Sequence, residues 1–88
     1  MKYLSLSDNP EYYFDVIIFD LKYSIRTVKR GQDFLMDIYD SELNPLIKGI
    51  LILPGVFLLN NYGSIPFNLY TDDIKDPFSQ TKLQVTKK

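Results

Sequence analysis

The sequence predicts an all-β fold: a small antiparallel barrel or sandwich of six to seven strands. Three observations point there. Alanine, the residue with the best helix propensity, is absent from the 88 residues. Val, Ile, Thr, Phe and Tyr, which suit a pleated and half-buried surface, make up 30 of them. Apolar residues recur with a period of two through several short runs, and no eleven-residue window carries a period of 3.6. One helical turn is the longest helix the pattern admits.

Each element follows from its own stretch. Residues 1–11 read as an extended N-terminal arm, 12–86 as a single β domain and 87–88 as a basic tail. In the first strand Tyr12, Phe14, Val16 and Ile18 share one face and Tyr13, Asp15, Ile17 and Phe19 the other. That second face is mixed, so it is not simply solvated. Asp20-Leu21-Lys22 is the expected turn, Tyr23 to Val28 the second strand, and Lys29-Arg30-Gly31-Gln32 a hairpin loop. Phe34, Met36 and Ile38 mark a third strand, with Asp33, Asp37 and Asp40 mostly on its solvated side. A polar turn follows in which Asn44 suits the left-handed region. Leu46 to Leu53 is a fourth strand, and Gly49 within it signals a bulge or a close backbone approach. Pro54-Gly55 fits the centre of a type II turn leading to a fifth strand over Val56 to Leu59. Pro66 sets the start of a sixth at Phe67, and Leu83 to Val85 is the last. The expected core is Phe14, Val16, Ile18, Ile25, Phe34, Met36, Ile38, Ile50, Ile52 and Leu58.

Composition narrows the function. The chain has no His, Cys or Trp, so the commonest acid–base residue, thiol nucleophiles, disulfides and Cys/His zinc sites are all excluded. The lack of disulfides fits assembly in a reducing compartment. Ten basic against eleven acidic side chains give a net charge of −1, which provides no strong field for nucleic acid or an anionic membrane. The start, Met1 to Asp8, is too short and polar for a signal-peptide core, and the greasiest run, Ile50 to Leu59, is broken by Pro54-Gly55. A membrane helix needs about 20 apolar residues.

No strong catalytic spacing occurs. Asp72, Asp73 and Asp76 offer oxygens to a hard cation, but no Gly-containing Ca²⁺ loop surrounds them, and they read as a solvated acidic loop. Asp33 and Asp37 share a strand face without Asp40, which reads as a solvent face rather than paired carboxylates for acid–base chemistry. Lys22, Arg26, Lys29 and Arg30 form the one basic cluster, flanked by Tyr23 and Phe34 and bracketed by Asp20 and Asp33. A hairpin rim facing a neighbouring subunit suits them better than a stacking groove for single strands. Seven Tyr in so short a chain either line subunit contacts or cap the edges of a thin core.

The segments follow a recognisable order. Phe14-Asp15-Val16-Ile17-Ile18-Phe19-Asp20-Leu21-Lys22-Tyr23 is an alternating strand with an acidic turn before a Tyr. Arg30-Gly31-Gln32-Asp33-Phe34-Leu35-Met36-Asp37-Ile38-Tyr39-Asp40 is a charged turn with an aromatic-led strand. Asn44-Pro45-Leu46-Ile47-Lys48-Gly49, then Leu53-Pro54-Gly55-Val56-Phe57-Leu58-Leu59, then Pro66 to Asp73 complete the order. Over about residues 12 to 86 this resembles the baseplate plug, or ripcord, proteins of contractile-tailed phages. Phe34 stands where that family has Trp, and Asn44 and Asn68 stand where it has Gly.

The resemblance implies a structural role without catalysis or cofactor: a ring-forming adaptor or plug at the end of the tail tube. The implied partners are tube, spike, wedge or sheath-initiator components, and the implied location is the virion, after synthesis in the host cytoplasm. A cyclic homo-oligomer is expected, six copies favoured over three. Tyr12, Tyr13 and Phe57 are the candidate contacts with neighbours, and Arg26, Lys29 and Arg30 are rim charges of smaller effect. The alternative is a small β-barrel module that binds nucleic acid or peptide through Lys22 to Arg30 and nearby rings.

Overall fold

The computed structural model describes residues 2–88; Met1, the first residue of the expected arm, lies outside the described residues. The all-β expectation holds. The described residues form seven strands in two antiparallel sheets, of four and three strands, with a single 3₁₀ turn at Phe78–Gln80. The chain divides into two compact units.

The unit from Asn9 to Ile52 is a meander of four strands. They are β2 (Glu11–Ile18), β3 (Leu21–Arg30), β4 (Asp33–Tyr39) and β5 (Pro45–Leu51), hydrogen-bonded in that order. Register aligns the apolar sets: Phe14 opposes Ile25, which opposes Ile38, and Tyr12 opposes Thr27, which opposes Met36. Ile18, Ile25, Met36, Ile38 and Ile52 are buried as expected. Phe14, Val16 and Ile50 are half-buried instead. All three sit on β2 or β5, the edges of this sheet, where a neighbouring strand covers one flank only.

The first hairpin turns one residue earlier than expected. Ile18 pairs with Leu21, and the two-residue loop is Phe19-Asp20, with φ of 50° and 70°. Positive φ at both central residues is the type I′ requirement, which Asn-Gly meets without strain. Phe and Asp meet it at a cost, because the left-handed region crowds Cβ. Replacing Phe19-Asp20 by Asn-Gly is therefore expected to raise stability by about 1–2 kcal/mol. A urea midpoint that stays put or falls would show that the native turn carries no such strain.

The turn between β4 and β5 also departs from expectation. Leu43, not Asn44, takes the left-handed conformation, with φ of 63°. The Asp40 carboxylate holds the loop, its Oδ1 accepting the N–H groups of Glu42 and Asn44, each at 2.9 Å. Gly49 does mark a bulge: the β4–β5 register slips beside it and its φ is 70°.

The second unit joins the N-terminal residues to Asp8 with Leu53–Lys88. Its sheet runs β1 (Lys2–Ser5), β7 (Lys82–Lys87), β6 (Phe67–Tyr70). Leu4 opposes Leu83 and Leu69 opposes Val85. Phe67, Leu69 and Leu83 are fully buried, so the N-terminal arm contributes a core strand through Leu4. β6 starts at Phe67, directly after Pro66. Val56–Leu59 forms no strand of its own. The chain there runs irregularly along β6, with Gly55 N–H on the Thr71 carbonyl (2.8 Å) and Leu58 N–H on that of Leu69 (2.9 Å). Gly55 has φ of 76°, as the expected turn demands, and Leu58 is buried. At the other end the basic tail is not free: Lys87 closes β7, and Lys88 Nζ donates to the Tyr62 carbonyl at 2.6 Å.

Candidate interaction surface

The outward face of the four-stranded sheet gathers most of its polar chemistry into two rows. In the first, Arg26 stands at the middle of β3 and reaches across both neighbours. Its Nη2 donates to Glu11 Oε2 on β2 (2.6 Å) and its Nη1 to Asp37 Oδ2 on β4 (3.0 Å). Glu11 and then Asp37 hold the guanidinium pKa still further above its usual range. The guanidinium also lies over the Tyr13 ring, 5.7 Å from its centre. Arg26 is thus a cross-strand tie with 27% of its side chain exposed, not a hairpin-rim charge.

Asp37 is the pivot of that row. The sequence placed it on a solvated face, yet only 7% of it is exposed. Besides Arg26 it accepts the Gly49 N–H (2.7 Å), so the bulge and the ion pair share one carboxylate. Asp37→Ala leaves the Gly49 N–H and the Arg26 guanidinium each short of an acceptor and is expected to cost about 1.5–3 kcal/mol, the range for hydrogen bonds to a charged group. Asp37→Asn, which still accepts from Gly49, should lose less. Equal midpoints for wild type and Asp37→Ala in chemical denaturation would remove the network from the stability account.

The second row is Lys22, Asp15 and Ser24. Ser24 Oγ donates to Asp15 Oδ1 (2.7 Å) and Lys22 Nζ lies 3.4 Å from Asp15 Oδ2. The Ser24 hydrogen bond, then the Lys22 charge, lowers the Asp15 pKa. Backbone donors in the 40–44 turn, Asn44 first, lower that of Asp40. A carboxyl depressed in the folded state binds fewer protons there than in the unfolded chain, so its stabilisation is present above the ordinary aspartate range and lost as pH falls. Stability is expected to decline below about pH 4. The decline should flatten in an Asp15→Asn, Asp40→Asn variant; an unaltered acid limb in a denaturation series contradicts this.

Around the second row the surface is concave. Tyr13, Asp15, Lys22, Ser24, Tyr39, Ser41 and Leu43 line an open depression of about 540 Å³. Large apolar side chains stand exposed about it: Tyr13 at 59%, Ile17 at 61% and Leu43 at 67%. The hairpin tip adds Phe19 and Leu21. In the other unit Leu53, Val56 and Phe57 form a second exposed apolar set beside the Pro54-Gly55 turn, with the Phe57 ring 5.0 Å from that of Tyr70.

The candidate contact residues thus separate. Tyr13 and Phe57 are exposed, Phe57 at 54%. Tyr12 is half-buried on the opposite side of β2 from Tyr13, stacked 5.5 Å from Phe14. Lys29 lies 5.8 Å from the centre of the Phe34 ring, and Arg30 is exposed at the far end of β3. The basic cluster is therefore spread along β3 and divided between its faces, with Lys22 and Arg26 already ion-paired. In the acidic loop Asp73 pairs with Lys75 (3.3 Å), and among the described residues no group of three or more acidic side chains converges as a metal site. Leu43 carries no local sequence signal for its conformation. Asn68 has no positive φ of the kind that would explain a Gly at its place; its buried Oδ1 accepts the N–H groups of Leu59 (2.8 Å) and Leu69 (3.0 Å).

The comparisons with known proteins bear on what this surface serves. The family described as "Cyanophage baseplate Pam3 plug gp18" matches residues 1–87. The chain belongs to this baseplate plug family. No curated protein and no solved structure matches it. For a baseplate plug, a component of the phage tail, other baseplate components are the partners to consider. Exposed apolar groups on both units are then the features of interest.

Proposed function

We propose that this chain is a non-catalytic structural subunit of a contractile phage tail, one copy of a closed ring that plugs the tail tube at the baseplate. Six copies are favoured over three. Its neighbours are tube, spike, wedge or sheath-initiator proteins, and it resides in the virion after synthesis in the host cytoplasm. The family match over nearly the whole chain carries this reading. The surface supports it: large apolar side chains stay exposed while the charges beside them are paired, which suits protein contacts better than phosphate contacts. Binding of nucleic acid through Lys22 to Arg30 is less well served, because two of those cations already have carboxylate partners.

The test is the composition of purified tails. Quantitative mass spectrometry should find the protein at a fixed ratio to the tube protein, several copies per particle. Its absence from intact tails would refute the reading.

A further inference from the structure

We propose that the depression on the four-stranded sheet receives the Leu53–Phe57 turn of a second copy of this chain. Each subunit would then bring one socket and one knob to the ring. This rests on the ring proposed above and goes further by naming the two surfaces that meet.

The socket is built for an uncharged guest. Its lining includes Tyr13, Tyr39 and Leu43, and the two charges in it pair with each other, Asp15 with Lys22, while Asp15 also accepts from Ser24 Oγ. It is open to the surface, and its volume of about 540 Å³ leaves room for a few side chains to dock. Leu43 is a second, independent sign. A leucine with φ of 63° is costly, and Asn44 next to it would bear that conformation more easily. The Asp40 clamp nevertheless holds Leu43 there, 67% exposed, at the rim of the socket. Backbone strain kept at an exposed apolar side chain points to use of that side chain.

The knob has the matching chemistry. From Gly49 to Thr71 the sequence contains no charged residue. Leu53, Val56 and Phe57 are each exposed by 44% or more. Pro54-Gly55 fixes the turn that carries them, so little conformational freedom remains to be lost on docking. An uncharged knob covers the Asp15–Lys22 pair without bringing a further, unmatched charge into the contact. A head-to-tail contact that closes into a ring needs two different complementary patches on one chain, and a socket and a knob are such a pair.

The absence of cysteine makes the contact directly testable. Ser41→Cys places a thiol on the socket rim and Val56→Cys one on the knob, and neither removes Tyr13, Leu43 or Phe57. Tails carrying the double variant, treated with a short bis-maleimide, should give a ladder of covalent multimers up to the copy number. Each single variant should give none. Dimers from Ser41→Cys alone would show sockets facing each other and overturn the proposal. So would a mixed product joining the socket-rim thiol to another tail protein, or no ladder in tails that hold several copies. Tails that hold one copy would instead overturn the ring itself, so the two failures are distinct. If the double variant does not incorporate, a charge pair decides. Leu43→Asp should lower incorporation about tenfold, and adding Val56→Lys should restore most of it. No restoration overturns the proposal.

Discussion

Phe67→Ala is expected to destabilise the protein by about 3–5 kcal/mol, the range for deleting a fully enclosed ring. Phe67 has no exposed surface, opens β6 directly after Pro66, and shares its sheet with Leu69 and Leu83, which are equally enclosed. A domain of this size has only about 4–13 kcal/mol in total. The variant should therefore unfold at a much lower urea concentration or be partly unfolded in buffer. Phe67→Leu, which keeps most of the volume, should lose less than half as much. A loss under about 1 kcal/mol for Phe67→Ala would mean that the ring is not enclosed in solution.

The second large effect falls on assembly and not on folding. Tyr13→Ser combined with Phe57→Ser should leave the isolated protein folded and within about 1–2 kcal/mol of wild type: both side chains are more than half exposed, and what is lost is the Arg26–Tyr13 cation–π contact and the Phe57–Tyr70 ring contact. Incorporation into tails should nonetheless collapse. An aromatic at the centre of an interface is worth roughly 2 kcal/mol or more, and in a ring each lost contact recurs at every subunit. Tyr12→Ser belongs to the other class. Tyr12 is half-buried against Phe14, so its loss acts on the fold first. Lys29 and Arg30 should matter least, as exposed charges contribute only about 0–1 kcal/mol. Normal infectious tails carrying the Tyr13→Ser, Phe57→Ser protein would remove both residues from the interface.

These residues also show where sequence reasoning reaches and where it stops. The period-two run from Tyr12 to Ile18 located β2 and its two faces because a strand with one covered side leaves that trace. Gly49 and Gly55 were legible because positive φ selects glycine, and both adopt it. Leu43 and Phe19 were hidden for the converse reason: each takes positive φ against its own preference, so nothing local announces it. β1 was missed although Leu4 and Leu6 alternate with Tyr3 and Ser5, because four residues give too few periods to separate a strand from an extended arm. Val56–Leu59 has strand composition but lacks a strand, since the Pro54-Gly55 turn lays it along β6 with only two backbone bonds.

For the interaction surface, exposure was the missing quantity. Tyr13 and Tyr12 are neighbours of one residue type on opposite faces of β2; the alternation separates the faces, but how far each ring is covered is set by the fold. Asp37 and Arg26 looked like ordinary surface charges because their pairing joins residues eleven positions apart, through a register that the sequence does not state.

The role itself is tested most directly by deletion of this chain's gene from the phage that encodes it. A structural plug of the tail tube predicts that infectious tails no longer form, and that supplying the wild-type chain in trans restores them. Active tails assembled in its complete absence would contradict that role.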